Sequence, residues 1–319
     1  MRSVAGPTLF YDCPDWADEP TGGVLCIYRH VELLCRAGFS ACVLHNRSGH
    51  HTGWFSHEAP VRFREEGAGP GPGDVLVLPE IAVDRLRETA GAPYRRIVFA
   101  QSWAYVFGAL PPGEGWQHVG VRRALAVSRY VQRFLAQTMS LPSDVVHPPV
   151  DTALFQPAPK RLEIAFMPRK NRRDLRQIEA IFRTRFPEHR AVPFVPIDGV
   201  PHARVAEILS GAAIFLATGY PEGCPLPPLE AMACGCLVVG FSGRGGREFM
   251  RHRRNSLVAD DGDVLSAALL LGEAVRDAAR GDGAMIRTAA RTTAERFRPA
   301  VVQAQLARAW RRILAEAAD

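Results

Sequence analysis

The sequence predicts an α/β protein of two doubly wound domains. Three observations carry this prediction. Short apolar runs, the length of buried parallel strands, alternate with segments whose apolar residues recur at helical spacing. Glycine-rich turns join the two kinds of segment, as in strand–helix–strand units. The chain has 319 residues and 47% hydrophobic content, enough for two cores.

The first domain opens with strand Thr8–Tyr11, a loop ending in Thr21-Gly22-Gly23, a helix running to Gly38 and a strand at Ala41–Leu44. Within that helix Val24, Ile27, Val31, Leu34 and Cys35 fall on one face. Strands follow at Asp74–Leu78, Arg96–Ala100 and Arg123–Val127, with Pro79-Glu80 opening a helix to Thr89. Ser128 caps the next helix. A proline-rich link closes this domain, taken as residues 1–155.

The second domain, residues 156–298, opens with strand Leu162–Met167. Pro168-Arg169-Lys170-Asn171 then leads into a helix with Asp174 and Gln177 spaced as a capping box. Val192–Ile197 is edge-like because of its prolines. Pro201 starts a helix ending near Ser210. Residues 299–319 form a last helix with Val302, Leu306, Trp310 and Leu314 on one face.

The most informative stretch is Tyr220 to Phe249, YPEGCPLPPLEAMACGCLVVGFSGRGGREF. It follows the apolar run Ala213–Ala217 and reads as strand, turn, helix, strand, glycine turn and helix. Pro227 and Pro228 suit a helix start, which places Glu230 in the first turn. A ligand site is expected here, at the carboxyl ends of parallel strands. Helix-start amides can receive phosphate oxygens, and Glu222 and Glu230 can accept hydrogen bonds from vicinal hydroxyls. Phosphates plus diols describe a nucleotide sugar. A structural turn with two solvated glutamates is the competing reading.

This stretch resembles the donor-binding signature of retaining glycosyltransferases with the GT-B fold, family 4, whose pattern is roughly E-G-F-G-L-P-x-L-E-A-M-A-x-G, a strand, then G-G-x-x-E. Glu222, Gly223, Leu226, Pro227, Leu229, Glu230, Ala231, Met232, Ala233 and Gly235 match in register. Cys224 stands where the family has an aromatic, and Pro225 where it has a second glycine, so any amide contact to the donor there is lost. Val150, Asp151, Phe155 and Pro157 fit a second pattern, N-G-V-D-x-x-x-F-x-P.

The resemblance implies two Rossmann-like domains facing across a cleft, with the C-terminal helix crossing back to the first domain and Trp310 at the seam. It implies transfer of a sugar from a nucleotide diphosphate, with retention, to a glycan, lipid-linked or small-molecule acceptor. In that frame Glu222 holds donor hydroxyls, Arg169 and Lys170 receive the charge of the leaving diphosphate, and Glu230 binds the ribose. Gly223, Cys224, Pro225 and Leu226, with the turn carrying Gly243, Gly245 and Gly246, surround the donor. Gly22 and Gly23 stand where a glycine pair lies near the phosphate and acceptor. The histidine that family members often carry after the third long strand is absent. Glu80 stands near its place as an acceptor-side acid or base, or as a carboxylate favoured by the helix dipole. Gln101, just past a strand, suits a sugar.

Composition bounds the alternatives. The net charge is +6, and residues 1–150 carry 14 basic and 14 acidic side chains, so the excess lies in the second half. That suits phosphate-bearing ligands or simple solvation. No aromatic–basic platform for nucleic acid is present. Seven cysteines without a C-x-x-C pair suit reduced thiols in the cytoplasm. No apolar run approaches a membrane span, and a peripheral position at the inner face of a membrane fits a lipid-linked acceptor. His45, His50, His51 and His57 cluster in one polar loop, but their spacing matches no zinc pattern and no carboxylate or cysteine lies at ligand spacing. Neither metal nor cofactor is therefore expected beyond the nucleotide-sugar co-substrate. Two other readings remain: a non-catalytic carbohydrate-binding scaffold of the same fold, and an epimerase or phosphorylase.

Overall fold

The computed structural model describes residues 6–15, 20–108 and 110–316. It divides into two compact units, residues 1–149 with 299–319, and residues 150–298. The division falls between Pro149 and Val150, ahead of the boundary expected after residue 155. Phe155 explains the shift, because it is buried against the His202 ring of the second unit, 5.0 Å between centroids.

The described residues of the first unit hold a seven-stranded sheet. Its strands are β1 (Leu9–Asp12), β2 (Ala41–His45), β3 (Val61–Phe63), β4 (Val75–Pro79), β5 (Arg95–Ala100), β6 (Ala124–Ala126) and β7 (Ser143–Val145). The order is β3-β2-β1-β4-β5-β6-β7, and every pairing is parallel. The helices are α1 (Gly22–Arg36), α2 (Val83–Glu88) and α3 (Arg129–Met139). β3 and β7, of three residues each, are strands beyond those read from the sequence. α2 starts four residues beyond Pro79, which ends β4 instead of opening a helix.

The C-terminal helix (Pro299–Ala315) belongs to this unit and packs on α1. Trp310 is fully buried within the first unit. Its indole N–H donates to the Tyr11 hydroxyl of β1 at 3.0 Å. A buried indole needs such a partner, and β1, lying in the middle of the sheet, supplies it.

The second unit holds a five-stranded parallel sheet of β8 (Arg161–Phe166), β9 (Phe194–Pro196), β10 (Ala212–Ala217), β11 (Leu237–Phe241) and β12 (Leu257–Ala259). Its order is β12-β11-β10-β8-β9. The helices are α4 (Arg172–Arg185), α5 (His202–Gly211), α6 (Leu226–Ala233), α7 (Val264–Arg280) and α8 (Ala284–Ala294). One core lies between the sheet and the α4/α7 pair, where Ile164 and Leu216 meet Ile178, Phe182, Leu271 and Val275. The expected capping box on α4 does not form. Asn171 caps the helix in a left-handed conformation and Asp174 bonds elsewhere.

Both sheets change winding direction once. In the second unit the chain runs outward from β8 to β9, then returns to β10 and continues to β12 on the other side. In the first unit the same reversal lies between β1 and β4. Loops leaving the carboxyl ends of such strand pairs diverge and leave a crevice, the general place for a ligand in this architecture.

Candidate active site

In the second unit, the loops at the reversal carry the residues that the sequence singles out. Arg169 and Lys170 follow β8, and Glu222 to Pro225 follow β10. The Lys170 ammonium lies 2.7 Å from Glu222 Oε1, and both side chains are partly exposed. Asn171 locks the two loops together, its amide donating to the Thr218 carbonyl at 2.8 Å and the Tyr220 carbonyl at 2.9 Å. The Tyr220 hydroxyl donates to Asp174 at 2.7 Å, a second stitch between the same loops.

The glycine turn after β11 packs directly on this loop. The Glu222 amide donates to the Gly243 carbonyl at 2.8 Å, and the Gly245 amide donates back to Glu222 at 3.1 Å. A Cβ on Gly245 would fall 1.8 Å from the Gly223 carbonyl oxygen, so only glycine permits this approach. The turn does not open a regular helix, since Gly245–Glu248 is a single 3-10 turn. Nor are its glycine amides idle. Gly243 donates to Asp261 at 2.9 Å, Gly246 to the Ser242 carbonyl at 3.0 Å, and Gly245 to Glu222 as above. These bonds hold the Glu222 loop in place. The α6 start is also poor in donors, because Pro227 and Pro228 supply no N–H.

Glu230 is less available than expected. α6 begins at Leu226, so Glu230 lies in the second turn and not the first. It is 4% exposed, and its Oε1 stands 3.0 Å from His202 Nε2. Sequence reasoning missed His202, Asn171 and Asp261. Asp261 alone had a signal, a carboxylate just past a short strand.

In the first unit the structure joins Gly22, Gly23, Glu80 and Gln101 around the ends of β1, β4 and β5. Gly22 and Gly23 are the first residues of α1, whose cap Thr21 accepts from the Val24 amide at 3.4 Å. A Cβ on Gly23 would come within 3.3 Å of the Gln101 side-chain oxygen. Glu80 is 3% exposed, and its two oxygens accept the amides of Gln101 at 3.0 Å and Ser102 at 2.7 Å. Burial raises its carboxyl to about 7, against the pull of those amides. Glu80 thus ties β4 to β5. The neighbouring Trp103 packs on Tyr130 and Phe134 of α3, while Tyr105 is exposed.

The histidine loop is more organised than its spacing suggested. His45 is buried, with Nε2 2.8 Å from the Tyr28 hydroxyl and Nδ1 2.9 Å from Asp15. The His50 ring lies 4.3 Å from His45 and the His57 ring 4.5 Å from Tyr28, while His51 is exposed. The carboxylate missing at ligand spacing is Asp15, which arrives from the loop after β1. Burial, with His50 adjacent, holds His45 down to about 4, so its imidazole is neutral.

Comparison with known proteins places this geometry. The family described as Glycosyl transferases group 1 matches residues 172–277. An alpha-1,6-glucosyltransferase of Actinobacillus pleuropneumoniae serotype 7 (strain AP76) is 30% identical over 235 residues, 70% of this chain and 69% of the relative. Among solved structures, a sucrose-phosphate synthase from Thermosynechococcus elongatus superposes with a TM-score of 0.75 at 14% identity, over 97% of this chain and all of that one. The Anabaena protein Alr3699/HepE in complex with UDP gives 0.68 at 17% identity, over 95% of this chain and 98% of that one. The fold is GT-B. No described helix is long and apolar enough to cross a membrane.

Proposed function

This chain belongs to the family of glycosyl transferases group 1, and we propose that it transfers a sugar, with retention, from a nucleotide diphosphate to a hydroxyl-bearing acceptor. The observation that carries the reading is the Lys170–Glu222 pair, 2.7 Å apart and partly exposed at the strand reversal of the second unit. A cation beside a carboxylate presents two opposite functions in one small volume. The carboxylate accepts hydrogen bonds from sugar hydroxyls. The ammonium, with Arg169 beside it in sequence, takes up the negative charge that develops on the leaving diphosphate. When the anomeric carbon–oxygen bond breaks, its electron pair stays with the phosphate, and the two cations stabilise it there without a metal on the diphosphate. The acceptor oxygen forms the new bond on the face the diphosphate leaves, and its proton passes to the departing phosphate oxygen.

Glu230, held by His202, is the carboxylate for the ribose diol. Because glycine amides 243, 245 and 246 are engaged, diphosphate binding rests on side-chain cations: Arg169, Lys170 and the half-exposed Arg244. The acceptor is a carbohydrate or a lipid-linked carbohydrate, received by the first unit. A peripheral site on the inner face of a membrane would suit the lipid-linked case.

Thermal unfolding against UDP, GDP, ADP, CMP and dTDP, alone and as sugar conjugates, tests this directly. The UDP complex of a GT-B structure makes UDP the first expectation. A nucleotide at about 100 times its dissociation constant adds roughly 2.7 kcal/mol to native stability. Lys170→Ala should lose most of that shift. A wild-type protein indifferent to all five nucleotides would favour the scaffold reading, and free epimer or sugar phosphate among the products would favour an epimerase or phosphorylase.

A further inference from the structure

Asp15, from the loop after β1, His45, at the end of β2, and His50 come together in the first unit. One ligand atom from each lies within 4.8 Å of the other two. His45 Nδ1 is 2.9 Å from Asp15 Oδ1, and the two imidazole rings are 4.3 Å apart. The His50 Nε2 atom is buried without a hydrogen-bond partner among the described residues. We propose that Asp15, His45 and His50 bind a divalent zinc ion that fastens the 46–50 loop to the loop after β1.

Three features support this assignment. Two imidazoles and a carboxylate form a donor set suited to zinc, with ligand atoms about 3.3 Å apart around a tetrahedral ion. The 2.9 Å between Asp15 and His45 needs to open by only a few tenths of an ångström. His45 already has the outer partner that metal-bound imidazoles require, since its remote nitrogen faces the Tyr28 hydroxyl at 2.8 Å. With the ion on Nδ1, the Nε2 proton donates to that hydroxyl.

A simpler account makes Asp15 a loop fastener alone. It accepts the Asn46 amide at 3.1 Å and the Arg47 amide at 3.2 Å, besides facing His45. That account leaves the buried His50 nitrogen unexplained, at the cost that attends any buried polar atom without a partner. A carboxylate has about four lone-pair sites, so the two amides leave room for an ion. Arg47 is the nearby cation, with Nε 3.8 Å from Asp15 Oδ2 and its guanidinium donating to the Asp15 carbonyl at 3.3 Å, on a well exposed side chain. Three protein ligands leave a fourth position for water or an oxygen ligand. The site lies in the first unit and is independent of the donor chemistry in the second.

The test uses the full chain, stripped with EDTA and dialysed. Isothermal titration with Zn2+ should show one equivalent bound at submicromolar affinity, with a rise in melting temperature. Co2+ in its place should give the visible absorption of a four-coordinate nitrogen–oxygen site without a thiolate charge-transfer band. His50→Ala and Asp15→Asn should each weaken Zn2+ at least 100-fold. His51→Ala, at an exposed neighbour, should bind as the wild type does. Circular dichroism of the stripped variants confirms that they fold. No stoichiometric uptake by the wild type would overturn the proposal. So would unchanged affinity in both ligand variants, or a thiolate band pointing to the cysteines.

Discussion

Glu222 and Glu80 occupy comparable places in the two units, each beyond the carboxyl end of a strand at the sheet's reversal, and they sit in opposite surroundings. Glu222 is partly exposed, and its carboxylate faces a lysine. Glu80 is 3% exposed, and both of its oxygens accept backbone amides. Position at a strand end therefore does not decide whether a carboxylate is a ligand group or a strut. The deciding quantities are exposure and the identity of its hydrogen-bond donors. A flexible ammonium can be shared with an incoming hydroxyl or phosphate, whereas two fixed amides cannot.

The largest expected effect follows from that difference. Glu222→Ala should reduce turnover by about 10²–10³-fold, the scale seen when a charge-stabilising group is removed, and Lys170→Ala should do the same. The melting temperature should hardly move, because an exposed pair adds little to stability. Glu80→Ala should behave in reverse. Leaving two buried N–H groups without acceptors costs about 2–5 kcal/mol of stability, while turnover per folded molecule is largely kept. Steady-state rates and urea unfolding on the three variants separate these outcomes. A Glu80 variant that unfolds normally but is catalytically dead would break the contrast.

The second effect concerns pH. In the folded chain Glu80 releases its proton near 7, whereas the unfolded chain releases it near 4.5. Between those values the native state keeps a proton that the unfolded state has lost. Glu80 thus contributes most to stability below about 4.5, and that contribution falls as pH rises toward 7, by a total on the order of 3 kcal/mol. His30, held down to about 4 mainly by burial, acts in the opposite sense, since the unfolded chain binds its proton first. The informative quantity is the difference between wild type and Glu80→Gln, measured by urea unfolding at pH 5 and pH 8. Glu80→Gln should remove the downward component and leave the histidine rise. Parallel pH profiles would show that Glu80 titrates normally.

What could be read from sequence divides along the same line. The loop arrangement around Glu222 was legible because strand, turn, helix and strand are contiguous there, so Glu222, Gly243 and Gly245 lie within one short stretch. Lys170 was legible as a cation past a strand end. The partners were not, because they come from distant segments: His202 meets Glu230 across 28 residues, and Asp15 meets His45 across 30. Local rules misled wherever a longer-range contact was better. Asp174 takes the Tyr220 hydroxyl instead of capping α4. Trp310 was legible as part of a buried face, but its partner Tyr11 was not, since periodicity names the face and not what covers it.

Glu230 lies between the two extremes and gives the smallest effect and the finest test. Like Glu80 it is buried, and like Glu222 it faces a side chain instead of backbone amides. One oxygen is engaged by His202, which leaves the other to accept from a diol. Glu230→Gln keeps the shape and one carbonyl acceptor but removes the charge. It should weaken UDP binding about tenfold, or about 1.4 kcal/mol, with kcat nearly unchanged, because the ribose contact is the same in the ground and transition states. Calorimetric titration of UDP into wild type and variant measures this. Unchanged UDP affinity with a lowered melting temperature would place Glu230 with Glu80 as a strut, and the donor site would then rest on Glu222, Arg169 and Lys170 alone.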